Sequence, residues 1–203
     1  MPDIRCAAII AGGASRRMGS CKALLEIEGE TLVARVAGVL RSLFPEIIVV
    51  TGNLQIAQAA NLPAIADEVA NCGPIGGLHA ALNHFHQPTF CIACDMPFAN
   101  ARAIEFLCLQ GADCDAVLPL VETDKISATK RAEPLHAVYT PACLPFFEAE
   151  FQCERVRSVE RVLGAARVKF IEADALRVFD AELRFLRNWN SPQDARADGF
   201  SLS

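Results

Sequence analysis

Four continuous apolar runs constrain the fold of this chain most tightly: RCAAII (5–10), EIIVVT (46–51), TFCIAC (89–94) and DAVLPL (115–120). Each has the length of a strand and none alternates polar with apolar residues, so each needs cover on both faces. Segments with helical spacing lie between them. TLVARVAGVLRSL (31–43) repeats Leu32, Val36, Val39, Leu40 and Leu43 at helical intervals, with Thr31 as N-cap and Pro45 past its end. AIAD (64–67) reads as a short further strand, GLHAALNHF (77–85) as a helix entered through the turn CGPIGG, and 101–110 as another helix. Doubly covered strands alternating with helices predict an α/β fold, a three-layer Rossmann-like sandwich with a mostly parallel sheet.

Beyond residue 120 the pattern changes. VETDKISATKRA (121–132) has little apolar content and reads as an exposed loop. EPLHAVYT (133–140) reads as a strand, followed by a helix from Pro141 to about Phe151, a second over 157–164, and a strand over RVKFIEA (167–173). No long linker or repeat interrupts the 203 residues, which predicts one domain, with 1–120 as its first part and 133–203 as a C-terminal elaboration.

Ligands of such sheets bind outside the carboxyl ends of the strands. The unusual residues of this chain fall there: AGGASRRMGSCK (11–22) follows the first strand, Asn53 the second, Asp67 the third and Asp95 the fourth. Successive glycines allow backbone N–H groups to approach an anion, and Arg17 and Lys22 supply neutralising charge. The stretch is neither a Walker A loop nor GxGxxG. Asp95 suits a Mg²⁺ ion shared with substrate phosphates, and equally a turn carboxylate satisfying backbone N–H groups before Pro97. Asp67 suits a second metal ligand, a sugar or base contact, or a turn cap.

A formal charge of −5 argues against a broad nucleic-acid or membrane surface, so any anion site must be local. No apolar run approaches the roughly 18 residues of a membrane span, and MPDIRCAAII lacks a signal-peptide pattern. The expectation is a cytoplasmic protein. Nine scattered cysteines then read as reduced thiols. Cys91 and Cys94 form a CxxC inside a strand; with Cys72 or Cys21 they define an alternative class, a thiol-based metal or redox module. His84 and His86 flank a phenylalanine near a helix end, where the dipole favours them. His136 reads as a hydrogen-bonded structural histidine.

The segments GGASRRMG with Lys22, ADEVANCGPIGGLHAAL and CDMPF resemble the nucleotidyltransferases that build cofactor and sugar dinucleotides. EPLHAVY and FLRNWNSPQD narrow the resemblance to the molybdenum cofactor guanylyltransferases. That resemblance implies a nucleotide-diphospho-sugar transferase type of fold and transfer of GMP from GTP to the terminal phosphate of molybdopterin. It implies that Ile10, Ala11, Gly12 and Gly13 line the GTP site, that Arg17 and Lys22 meet the phosphates, and that Asn53 and Asp67 contact the nucleoside. Asp95 would hold Mg²⁺, with Arg17, Lys22 and Asp95 as the catalytic set. Asn188 and Asn190 would lie on the acceptor side, with Trp189 packing a core edge or flanking the pterin. Molybdoenzyme chaperones are the implied protein partners. Cys21 departs from the family, many of whose members carry an acid just before the lysine. The nearest alternative keeps the chemistry and changes the substrate: CTP with molybdopterin, or another small phosphate.

Overall fold

A computed structural model of the chain describes residues 4–12, 22–67, 69, 72–124, 129–153 and 158–200. The strands are β1 (Cys6–Ile10), β2 (Glu26–Ile27), β3 (Glu30–Thr31), β4 (Glu46–Val50), β5 (Ala64–Ile65), β6 (Thr89–Ala93), β7 (Ala116–Asp124), β8 (Thr129–Ala132), β9 (His136–Tyr139) and β10 (Val168–Ile171). The helices are α1 (Leu32–Arg41), α2 (Leu54–Ala60), α3 (Pro74–Phe85), α4 (Ala101–Leu109), α5 (Leu144–Glu150), α6 (Val159–Val162), α7 (Ala173–Leu176) and α8 (Pro192–Ala197). The main sheet runs β10-β7-β9-β6-β1-β4-β5, with β8 hydrogen-bonded to β7, while β2 and β3 form a separate hairpin.

β1 is parallel to β4 and β6, β4 to β5, and β7 to β10; β9 is antiparallel to both β6 and β7. Period-2 alternation splits the interior into two layers. Ala7, Ile9, Val49, Phe90 and Ile92 pack with residues of α1, α2 and α4 on one face. Ala8, Ile10, Ile48, Val50 and Cys91 pack with residues of α3, α5 and α6 on the other. All five residues of β1 are buried, as a continuous apolar run requires. Thr31 does cap α1, its Oγ1 accepting from the Ala34 N–H at 3.3 Å.

The structure departs from the sequence expectations in several places. The segment 121–132 is not an unstructured loop: β7 extends to Asp124 and pairs antiparallel with β8. Glu122, Lys130 and Arg131 are exposed, so strand pairing there needs no apolar pattern; Glu122 lies opposite Lys130 across the ladder, a favourable cross-strand pair. α3 begins at Pro74, not 77, because Gly73 takes φ +57° just before it and Pro74 is preset for a first helical position. α2 is a helix that the sequence pattern did not announce. Among the described residues, no helix is long and apolar enough to cross a membrane.

What positions a site is the alignment of strand ends. Ile10 stands level with Val50 of β4 and Ala93 of β6. Three rungs continue past the strands: Ala11 N–H to Val50 O (3.0 Å), Thr51 N–H to Ile65 O (2.8 Å) and Cys94 N–H to Ile10 O (3.2 Å). The chain therefore leaves β1, β4, β5 and β6 at one edge, and Gly12, Asn53, Asp67 and Asp95 all follow within three residues of the strand ends.

Candidate active site

Gly12 is the first residue beyond the β1 rungs. It is exposed, and a Cβ built on it would meet no atom of the described residues within 4 Å. Among the described residues no packing demands a glycine there, which leaves its small size to serve a close approach to the backbone. Ile10 is buried against α3 and Ala11 donates to β4, so both shape the floor of this edge. Gly13, Arg17 and Cys21, also expected at the site, lie outside the described residues.

Lys22 opens a short 3-10 turn, Lys22–Leu24, and its Nζ donates to Asn190 Oδ1 at 3.1 Å. Asp95 follows β6, and its carbonyl accepts the Trp189 N–H at 2.9 Å. Burial pushes the Asp95 carboxyl above the usual carboxylate range, while Lys22 and the residue's own backbone N–H draw it back. The lysine and the aspartate, from opposite ends of the first part of the chain, thus share one patch whose far wall is the segment 188–190.

That wall is held rigidly. Trp189 is buried against Phe98 and Phe200 and donates Nε1–H to Asp198 at 2.7 Å, so it packs the core edge. Ser191 and Asp194 form a capping box at α8, and Asp194 Oδ2 also accepts the Asn190 N–H at 2.6 Å. Asn188 Nδ2 donates to Glu133 Oε2 at 3.2 Å. Both expected acceptor-side asparagines therefore stand at the edge with Lys22.

Asp67 and Asn53 sit at the other end. Asp67 Oδ1 accepts the Val69 N–H at 3.0 Å, and burial raises its pKa against the pull of that N–H and of His79. Asn53 Oδ1 accepts the Gln55 N–H at 2.9 Å and caps α2, which leaves its amide Nδ2 as the group to offer a ligand. α3 presses on both neighbours: a Cβ on Gly76 would lie 2.6 Å from the Asp67 carboxylate oxygens, and one on Gly77 would lie 2.8 Å from Ile10 Cγ2. Gly76→Val is therefore expected to displace Asp67. If this edge takes the nucleotide that the sequence resemblance implies, the apparent GTP affinity should fall by about tenfold or more; urea unfolding should show a loss of about 1–3 kcal/mol in either case. Unchanged GTP binding would detach Asp67 from the nucleotide.

Beside the 188–190 wall lies a cleft of about 760 Å³, lined by Arg131, Arg177, Arg187, Asn188, Asn190 and Glu122 among others. Arg131 and Glu133 were not expected as site residues. The signal was an acid heading the apolar strand EPLHAVY: Glu133 is only 4% exposed, which few acids tolerate without partners.

The remaining candidates resolve away from this edge. Cys91 packs in the α3/α5 layer and Cys94 against the opposite one, so the CxxC pair does not face a common side. Burial pushes the Cys91 thiol far up, the reverse of a redox-active cysteine. Among the described residues no group of three or more His, Cys, Asp or Glu is arranged to hold a metal ion. His136 is fully buried, but it is not hydrogen-bonded as expected: among the described residues neither ring nitrogen has a partner, and the ring packs against Phe90 and Phe185.

A mostly parallel sheet with a glycine exit, a lysine and a partly desolvated aspartate at its carboxyl edge is the arrangement of a nucleotidyltransferase. Residues 7–169 match the MobA-like NTP transferase domain. A protein of Pelotomaculum thermopropionicum named "probable molybdenum cofactor guanylyltransferase" is 33% identical over 188 residues, covering 92% of this chain and 87% of that protein. The crystal structure of molybdopterin-guanine dinucleotide biosynthesis protein A from Archaeoglobus fulgidus superposes with TM-score 0.77 at 28% identity, covering 94% of this chain and 95% of that one. A 2-C-methyl-D-erythritol 4-phosphate cytidylyltransferase from Thermus thermophilus, at TM-score 0.72 and 12% identity over 96% of both chains, shares the fold alone. The chain belongs to the MobA-like NTP transferase family.

Proposed function

We propose that this protein transfers GMP from GTP to the terminal phosphate of molybdopterin, in the cytoplasm, giving molybdopterin guanine dinucleotide and pyrophosphate. The observation that carries the reading is the meeting of Lys22, Asp95 and Asn190 at the carboxyl edge of the sheet. The names of relatives 32–33% identical over most of this chain support the guanylyl branch over the cytidylyl one.

An oxygen of the acceptor phosphate attacks the α-phosphorus of GTP, the α–β bridging P–O bond breaks, and pyrophosphate departs with the electron pair. The nucleophile is already ionised near pH 7, because the second pKa of a phosphate monoester is about 6. No general base is needed, so the protein's task is alignment and neutralisation. Gly12 and Gly13 let the triphosphate approach the backbone. Lys22 and Arg17 offset charge on the phosphates, with Lys22 held toward Asp95 by Asn190. Asp67 and the free amide nitrogen of Asn53 face the nucleoside. The acceptor enters beside Asn188 and Asn190, where the arginines of the cleft meet its anionic groups.

A Mg²⁺ ion suits Asp95, a hard carboxylate oxygen donor that is partly desolvated and balanced mainly by one lysine. Asp95 would hold the ion, and substrate phosphates would supply its other hard oxygen donors. When bound, the ion would neutralise phosphate charge in the transition state.

Pyrophosphate release from GTP, measured with and without molybdopterin, tests the reading: release only in the presence of both is expected. Thermal shift separates the base. GTP with Mg²⁺ at a hundredfold its Kd should stabilise the fold by about 2.7 kcal/mol, roughly 5–10 °C for a chain of this size, and CTP by much less. A larger shift with CTP would move the protein to the cytidylyl branch. Transfer to molybdoenzyme chaperones belongs to the same proposal, and a pull-down with loaded protein examines it.

A further inference from the structure

Glu133 takes no part in that scheme, yet it is a buried carboxylate at the same edge. It lies between β8 and β9, where its N–H donates to Pro119 O at 2.9 Å. Two residues on, Leu135 O accepts the Ala93 N–H at 2.9 Å, which ties this turn to the end of β6 just before Asp95. Three donors converge on the carboxylate. Oε1 accepts the Leu135 N–H at 3.3 Å; Oε2 accepts Asn188 Nδ2 at 3.2 Å and Arg131 Nη2 at 3.3 Å.

These contacts have a directional consequence. A carboxylate only accepts hydrogen bonds, so the Asn188 amide must present its nitrogen to Glu133 and keep its carbonyl oxygen for something else. Arg131 likewise spends one N–H on Glu133 and retains its other donors. Asn188 and Arg131 both line the 760 Å³ cleft. Arg131 is 59% exposed there while the Glu133 side chain is 5% exposed, so Glu133 stands behind them.

We infer that Glu133 is a positioning residue for the acceptor: it fixes the Asn188 amide and the Arg131 guanidinium so that one acceptor oxygen and several donors face the cleft. The ligand this pair fits carries an anionic oxygen for Arg131 and an N–H or O–H for Asn188. The inference rests on the proposed placement of the acceptor beside Asn188, and it adds a residue that touches neither substrate.

The test is a double-mutant cycle in steady-state kinetics with GTP and molybdopterin. Glu133→Gln keeps the volume but sets an NH₂ group against one of the three donors. It is expected to raise the apparent KM for molybdopterin about tenfold, as for a lost charge-assisted hydrogen bond. The KM for GTP and kcat should stay within about twofold. Asn188→Ala should raise the same KM, and the double variant should be little worse than the worse single one, because Glu133 acts through Asn188. Glu133→Asp, which keeps the charge and draws it back, should show the same split more mildly; it carries the test if Glu133→Gln folds poorly. An acceptor KM unchanged in both Glu133 variants overturns the inference, as do multiplying effects in the double variant or loss of GTP binding along with the acceptor. An unchanged acceptor KM in Asn188→Ala would instead remove the acceptor from Asn188, and the positioning role with it.

Discussion

Asp95→Asn is expected to slow guanylyl transfer about a thousandfold, some 4 kcal/mol of transition-state stabilisation, while leaving the protein at least as stable as it was. Both halves follow from the same surroundings. The carboxylate is partly desolvated, and its pKa is raised despite Lys22, so its charge is carried at some cost to the fold. An amide has the same shape without that cost, and Lys22 keeps its partner Asn190. The charge is therefore retained for something other than stability. Single-turnover transfer assays with urea unfolding on the same preparations check this. A variant that transfers at the wild-type rate would take Asp95 out of the chemistry. One that loses activity together with several kcal/mol of stability would make the residue structural. Activity that falls while stability holds or rises is the signature of a group kept for catalysis.

Much of this edge is legible in the sequence. Four doubly covered apolar runs dictate a parallel core, and the strand-end rule then points to the residues just after them. Gly12, Asn53, Asp67 and Asp95 emerge at one edge because β1, β4 and β6 share a register with no offset between them. The order of the strands was less accessible. β9 enters antiparallel between β6 and β7, and nothing in EPLHAVY announces a direction.

The residues missed share a physical cause. Glu133 and Arg131 lie on and beside a polar hairpin, and their importance depends on which distant segment comes to rest against them. Asn188 reaches Glu133 across 55 positions and Asn190 reaches Lys22 across 168, separations at which no local pattern acts. Trp189 explains how the segment is held: its ring fills the small apolar cluster with Ile27, Leu32 and Ala195, which packs α8 against the β2/β3 hairpin and the start of α1. The β2/β3 hairpin supplies Ile27 to that cluster. The sequence shows an isolated tryptophan between two asparagines; the fold makes it the anchor that brings Asn190 to Lys22 and Asn188 to Glu133.

His136 leads to the second large effect, on stability and not on activity. Burial without any hydrogen-bond partner lowers its pKa from 6.5 to about 3, because protonation would place a charge among Phe90, Phe185 and the β6–β9 interior. The unfolded chain takes up this proton near pH 6.5 and the folded chain does not until about pH 3. Between those values the unfolded state binds more protons, so stability falls as the pH is lowered, by about 1.4 kcal/mol per unit. Above pH 6.5 the effect vanishes; at pH 5 it amounts to about 2 kcal/mol, and near pH 3 to about 5 kcal/mol. His136→Leu removes both the titration and two unsatisfied ring nitrogens at similar volume. It should match or exceed the wild type at pH 7.5 and exceed it by about 2 kcal/mol more at pH 5. Comparing variant with wild type cancels the contributions of Asp67, Asp95 and Glu133, whose raised values act in the opposite direction with pH. Urea unfolding at both pH values measures the difference directly. Parallel pH profiles for the two proteins would mean that His136 finds a hydrogen-bond partner or solvent in the folded state. The strand EPLHAVY would then hold its histidine as a satisfied group, and the acid sensitivity of the fold would have to come from elsewhere.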